Sequence, residues 1–296
     1  MKIKGVDVSK FQKGQKIADY KAAGQEFVII RAGYTGWGGK GVTKVVDPEF
    51  ENFYKQAKAC GMPVGAYWFS TANNATKGRD EAIYMYEHCL KGKQFEMPIF
   101  IDCEDNHWQS KDWAGTTAAI VAFCEQLESL GYFVGVYASK YWFSKLGKDK
   151  LKPYLHWLAW WTSTEPTEKT AGVNFGIWQF GSVKVKGKNI DGNIAYKDYA
   201  KIIKEGGFNG FNTKPQPEPQ PEPKPEPVEP KFKKGDKVQI IANGNARKDG
   251  KGKTSKGIGY KRYILDYYAG EPFPYRVGNL LRITTGYYAA SALKKL

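Results

Sequence analysis

The chain has 296 residues, 42% of them hydrophobic and 25% charged, which is material for a sizeable core and unlike the composition of a disordered chain. Lysine and arginine outnumber acids by 45 to 30, and the resulting +15 favours a polyanionic partner; aromatic residues reach 15%, an excess suited to flat rings such as sugars or bases. No run approaches the ~20 apolar residues of a membrane span, and neither a CxxC pair nor an HExxH motif occurs, which argues against a transmembrane protein and a zinc hydrolase.

Eight short β-branched or aromatic runs are predicted as strands: Gly5 to Ser9, Phe27 to Gly33, Val64 to Ser70, Pro98 to Glu104, Val134 to Ser139, Trp157 to Trp161, Ile177 to Phe180 and Asn189 to Ala195. Helical patterns separate several of them. In Asp47 to Cys60, Asp47 is placed to cap, Pro48 takes the first turn, Phe50, Phe53 and Ala57 form a stripe, and Gly61 stops the helix. A second helix is expected from about Thr116 to Leu130, ending at Gly131. Strands alternating with helices imply parallel pairing, while the spacings after Trp157 leave little room for crossover helices. The expected fold of residues 1–213 is an irregular (β/α) barrel of about eight strands, with some helices missing or reduced. Cys60, Cys89, Cys103 and Cys124 read as buried thiols rather than a disulfide framework.

Residues 214–230 read KPQPEPQPEPKPEPVEP, with eight prolines, a pattern that excludes helix and central strand. A polyproline II spacer of about 50 Å is expected there, dividing two domains. Residues 231–296 carry 15 basic and 4 acidic side chains, +11, against +6 for residues 1–213. Alternation in KVQI and LLRIT suggests a small all-β, barrel-like domain, and a charge that dense suits a module that holds an anionic surface. Its tyrosines, Tyr260, Tyr263, Tyr267, Tyr268, Tyr275, Tyr287 and Tyr288, are too many for so small a core to conceal, so some are expected at the surface.

In a barrel of this kind the reaction site lies at the C-terminal mouth. Acids collect at the matching strand ends: Asp7 late in the first, Asp102 and Glu104 closing the fourth, Asp191 in the last. Asp102 and Glu104 are two residues apart, so on extended backbone they share a face while Cys103 points the other way. Carboxyls held that close cannot ionise independently, and one is expected to keep a proton near neutral pH, able to donate to a leaving oxygen beside an anionic neighbour. Trp68, Trp108, Trp157, Trp160, Trp161 and Trp178 fall in or just after strands and could wall a sugar ring. Two other readings stay open: Asp102, Glu104, Asp105 and His107 as ligands of a hard metal ion, and the acids as solvated loop charges.

The segments GVDVSKFQ, FVIIRAGYT, VGAYWFS, PIFIDCED, GIWQF and IDGN, in that order, resemble glycoside hydrolase family 25, the N-acetylmuramidase type of lysozyme. The resemblance spans essentially residues 1–213 and implies retaining cleavage of the β-1,4 bond between N-acetylmuramic acid and N-acetylglucosamine, without cofactor or metal. It implies Glu104 as general acid and base, Asp102 as the partner that steadies the acetamido group or the oxocarbenium charge, and Asp7 and Asp191 as flanking acids. It also implies a groove lined by Tyr67, Tyr137, Trp160 and Gln179, with Arg31 tying the acids together. DGN stands where many relatives carry an apolar residue between Asp and Asn, which leaves Asp191 in place.

The basic domain resembles bacterial Src-homology-3-like wall-binding domains. Together the resemblances lead us to expect a phage endolysin, made in the host cytoplasm without a signal peptide and released to the wall at lysis. Its partners are expected to be peptidoglycan glycan strands and, for the second domain, anionic wall polymers, with no membrane. Basic residues among aromatics also suit nucleic acid; tethering to a carboxylate barrel that lacks a His cluster disfavours it. The competing functions are a non-catalytic wall-binding protein and, less well supported, a metal-dependent phosphodiesterase.

Overall fold

Period-two patterning and short strands shape the N-terminal part of the chain. The computed structural model describes residues 1–36, 43–211, 231–247, 254–255, 258, 260–268, 273–278 and 284–296. Two compact units result, Met1–Glu218 and Pro219–Leu296. The expected polyproline spacer, 214–230, lies outside the described residues.

The first unit runs β1 (Ile3–Val8), α1 (Ile17–Ala22), β2 (Phe27–Thr35), β3 (Lys44–Val46), α2 (Phe50–Ala59), β4 (Val64–Phe69), α3 (Ala75–Met85), β5 (Ile99–Asp102), α4 (Trp113–Ser129), β6 (Val134–Ser139), α5 (Lys140–Lys145), α6 (Lys148–Leu151), β7 (Leu155–Ala159), α7 (Glu168–Ala171), β8 (Ile177–Val185), β9 (Lys188–Ala195) and α8 (Tyr199–Gly206). The sheet order β1-β9-β8-β7-β6-β5-β4-β2 closes through a β1–β2 pairing, so eight strands form a barrel, with β3 appended to β2. Seven of these strands are mutually parallel, and β9 runs antiparallel to both β8 and β1. The antiparallel closure follows from the missing crossover: β8 turns directly into β9 at Lys186 and Gly187, both at positive φ, as a tight hairpin turn demands. The expected eight-stranded irregular barrel with reduced helices is the observed fold of this unit.

Two clusters of buried side chains fill the unit. The larger packs helices onto the outside of the strands. The smaller, with Phe27, Ile29, Met97, Phe100, Trp157 and Ile177, lies inside the barrel. Gly5 and Gly135 make room for it, because a Cβ at either would lie 2.5 Å from the rings of Phe27 and Phe100 respectively. The same inward parity carries on toward the C-terminal mouth, where the side chains become polar.

Three local expectations need correction. The fourth strand ends at Asp102 rather than Glu104, since pairing to Phe69 and Tyr137 stops there, leaving Glu104 on the following loop. Asp47 does not cap α2, which starts at Phe50 behind Glu49; its carboxylate accepts instead from the Glu49 and Lys10 amides and from Arg31. The helix after β5 begins earlier, at Trp113, because the Asp112 carboxylate accepts from the Gly115 amide at 2.8 Å. All four cysteines are free, with Cys60 half-buried and the others buried.

The second unit is all-β: β10 (Lys237–Ile240), β11 (Gly244–Asn245), β12 (Thr254–Ser255), β13 (Lys261–Tyr267), β14 (Tyr275–Gly278), β15 (Thr284–Tyr288) and β16 (Leu293–Lys295), in one antiparallel sheet ordered β12-β11-β15-β14-β13-β10-β16. Val238, Ile240, Ile264, Val277 and Leu293 form its core with Phe232, Tyr275 and Tyr288. Tyr260 is exposed, and Tyr263, Tyr267, Tyr268 and Tyr287 are half-buried.

Candidate active site

Barrel closure brings the acids to one mouth. Asp7 on β1 sits directly opposite Asp191 on β9 in the antiparallel register. Asp102 ends β5, and Glu104 follows it past Cys103, whose side chain turns into the core as the alternation requires. Asp7, Asp102, Glu104 and Asp191 line one small cavity of about 150 Å³, with Arg31 and Tyr67 on its other walls. Glu104 and Asp191 also line a wider cleft of about 870 Å³ with Tyr137, Trp160 and Gln179. The two acids therefore mark the junction between a narrow acidic pocket and an open aromatic arm, and Glu104 is exposed there.

A chain of hydrogen bonds fixes Asp7. Its Oδ2 accepts from Gln179 Nε2 at 3.0 Å and from Asn193 Nδ2 at 2.8 Å. Both amides are oriented from behind by indoles, which only donate: Trp157 Nε1 donates to Asn193 Oδ1 at 2.8 Å, and Trp161 Nε1 to Gln179 Oε1 at 3.2 Å. Tyr137 adds its hydroxyl to the same Gln179 oxygen at 3.0 Å. With each amide oxygen so occupied, each NH2 must face Asp7.

Desolvation dominates the electrostatics. Burial, then the Asp191 charge, push Asp7 up to about 7 despite its two amide donors. Asp102 is held well above the carboxylate range by burial and by Glu104 and Asp7, with Arg31 opposing. Among the described residues its Oδ1 is buried without a hydrogen-bond partner. Glu104 is raised by the cavity walls and by Asp191, and Asp191 by burial. Four carboxyls in one field cannot all be ionised, so the cluster holds protons near neutral pH.

The other expected site residues divide between the cavities. Tyr67 packs edge-on against Trp157 in the acidic pocket, and Tyr137 packs against the same indole from the wide cleft. Arg31 reaches the acidic pocket, but its ion pair, Nε to Oδ2 at 2.7 Å, is with buried Asp47, and its guanidinium lies between the rings of Phe11 and Tyr34. It acts on the site acids through its field rather than by tying them together. Of the six tryptophans expected as walls, Trp160 and Trp161 line the cleft. Trp68, Trp157 and Trp178 are buried, and Trp108 sits on an exposed loop. Asp105 turns back into its own loop, accepting from the Trp108 and Gln109 amides.

Sequence reasoning missed Asn193 and Lys140. Asn193 had a readable signal, since it stands two residues after Asp191 on extended backbone and so shares its face. Lys140, at the start of α5, had none.

The family model of Glycosyl hydrolases family 25 matches residues 6–188. The chain belongs to that family. Its glycosyl hydrolase domain is similar to the autolytic lysozyme of Clostridium acetobutylicum, 25% identical over 205 residues, covering 69% of this chain and 58% of that protein. It is also similar to the probable GH family 25 lysozyme 4 of Dictyostelium discoideum, 27% identical over 189 residues, covering 61% of this chain and 81% of that protein. Among solved structures, the CTP1L endolysin matches with a TM-score of 0.58 at 23% identity, covering 69% of this chain and 70% of that one. This family 25 chain thus spans under two-thirds of the Clostridium lysozyme's length.

Proposed function

We propose that the protein is an N-acetylmuramidase that hydrolyses the β-1,4 bond between N-acetylmuramic acid and N-acetylglucosamine in peptidoglycan. The observation that carries this reading is the placement of Glu104: a carboxyl with a raised pKa at the junction of the acidic pocket and a cleft walled by tyrosine and tryptophan. A protonated Glu104 donates to the bridging oxygen as the bond breaks, then returns as base to activate water. Asp102, beside it with an unpartnered oxygen, holds the acetamido group or steadies the oxocarbenium charge. Burial and the charge of Asp191 delay ionisation of Glu104, and the two amides keep Asp7 in place.

Retention at the anomeric carbon belongs to the same proposal, with one group serving as acid and then base. So does the role of a phage-type endolysin, made in a host cytoplasm and released to act on its wall, in which the basic second unit, a Src-homology-3-like fold on this reading, holds anionic wall polymers. Supporting that half is a row of exposed cations across three strands, where Lys261 and Lys294 flank Gln239 in register and Lys237 lies on the same side.

Mass spectrometry of digested, purified peptidoglycan tests the reaction. Muramic acid at every new reducing end is expected; glucosamine ends or cleaved peptides would overturn the assignment. Proton NMR of the first product formed is expected to show the β-anomer, and an initial α-anomer would remove retention.

A further inference from the structure

Besides Glu104 and Asp191, the wide cleft carries a single charged side chain among its described lining residues, the cation Lys140. Its ammonium sits 3.5 Å from the centroid of the Trp160 ring, and both residues line the cleft. Among the described residues it has no carboxylate partner, unlike Lys58, Lys93 or Lys186, which pair with Glu96, Glu51 and Asp19. The seat is rigid: the Trp160 carbonyl accepts from Trp178 Nε1 at 2.8 Å, and the Trp160 amide donates to the Gln179 carbonyl at 3.2 Å. The aromatic face holds the charge by a cation–π contact without neutralising it.

The remaining lining of that arm is neutral, contributed by Ser139, Tyr141, Ser144 and Trp161. The cleft is therefore polarised, with carboxyls at the junction and one ammonium, carried by half-buried Lys140, along the arm. A neutral glycan leaves Lys140 without a counter-charge. A chain bearing a carboxylate on a side branch supplies one, through a charge-assisted hydrogen bond.

We propose that Lys140 forms an anion subsite that reads a carboxylate carried on a side branch of the glycan. This rests on the muramidase reading, in which the 3-O-lactyl branch of muramic acid carries the negative charge, either as the free lactyl carboxylate or as a carboxylate of the attached peptide. Both sources present the same group to the ammonium. Lys140 thereby sets which glycans are held productively and touches no reacting atom.

The test compares wild type, Lys140→Gln and Lys140→Arg on three chains of one length: peptide-bearing glycan, glycan freed of peptide to expose the lactyl carboxylate, and glycan whose carboxylates are converted to methylamides. For Lys140→Gln the KM for the carboxylate source that Lys140 reads is expected to rise about fivefold or more, with kcat within about twofold, and Lys140→Arg is expected to restore it. Wild type should show the same rise on the methylamide chain, where Lys140→Gln adds nothing. Whichever charged chain responds identifies the source. An unchanged KM of Lys140→Gln for both charged chains, or a rise caused by Lys140→Gln that is as large on the methylamide chain as on the charged ones, overturns the proposal. If wild type releases no reducing ends from any chain, the muramidase reading fails, and binding followed by tryptophan fluorescence still decides the subsite. A preference for charged chains that vanishes in Lys140→Gln upholds it, and equal binding of charged and methylamide chains overturns it.

Discussion

Asp7 and Asp191 face each other across the antiparallel pairing that closes the barrel. Each raises the cost of ionising its neighbours, and Asp191 is the charge that acts on both Asp7 and Glu104. Replacing Asp191 by Asn removes that charge and lets Glu104 ionise at lower pH. The basic limb of the kcat/KM profile for reducing-end release is expected to move to lower pH; a limb that stays put or moves up would show that Glu104 does not sense Asp191.

Glu104→Gln keeps the shape of the side chain and removes its proton. A loss of roughly 100-fold to 10,000-fold in kcat is expected for a general acid, with an unchanged circular dichroism spectrum and unchanged sedimentation with walls. Turnover within tenfold of wild type would remove Glu104 from the mechanism.

Asn193 is held by Trp157 and holds Asp7. Asn193→Leu leaves a buried indole N–H without its acceptor and Asp7 with one amide donor fewer, at a cost of roughly 2 to 3 kcal/mol. Denaturant unfolding is expected to show that loss, and Asp7 should titrate higher still because a hydrogen bond favouring its charged form is gone. Unchanged stability would mean that water replaces the amide.

Glu81 lies in the core beside the end of β4, accepting from the Thr71 amide, and burial pushes its pKa up to about 7. The folded protein thus keeps a proton that the unfolded chain releases in the ordinary carboxylate range. Its contribution to stability is full below that range and is lost as pH rises through about 7, a difference of roughly 3 kcal/mol. Asp7, raised to about 7, acts with the same sign. Melting temperature is expected to fall between pH 5 and 8, and the fall should be shallower in Glu81→Gln; parallel curves for the two proteins would place the titration elsewhere.

Charge reversal at Lys237, Lys261 and Lys294 tests the second unit, since all three are exposed on its sheet. Wall sedimentation of the triple Glu variant is expected to drop severalfold in dilute salt, with the difference shrinking as ionic strength rises. Hydrolysis of short soluble glycans should be unaffected. Equal sedimentation of variant and wild type would take the wall-binding role away from this face.

The strands and the rule that Asp102 and Glu104 share a face were readable from the chain alone. Extended backbone alternates every second residue whatever surrounds it. The family resemblance was legible for the same local reason, because its motifs lie along individual strands and the loops that follow them. What the chain could not say was who meets whom. Asp191 faces Asp7 only because the missing crossover after β8 makes the last strand antiparallel, and Arg31 finds Asp47 rather than the site acids because β2 and the start of α2 pack together. Equally aromatic positions part company in the same way: Trp157 and Trp178 are buried while Trp160 and Trp161 line the cleft, and Lys140 gains its meaning from an indole on the next strand's end. Burial and pairing are set by residues remote in sequence, so the groups with chemical potential were visible in one dimension, and their mutual field existed only once the barrel closed.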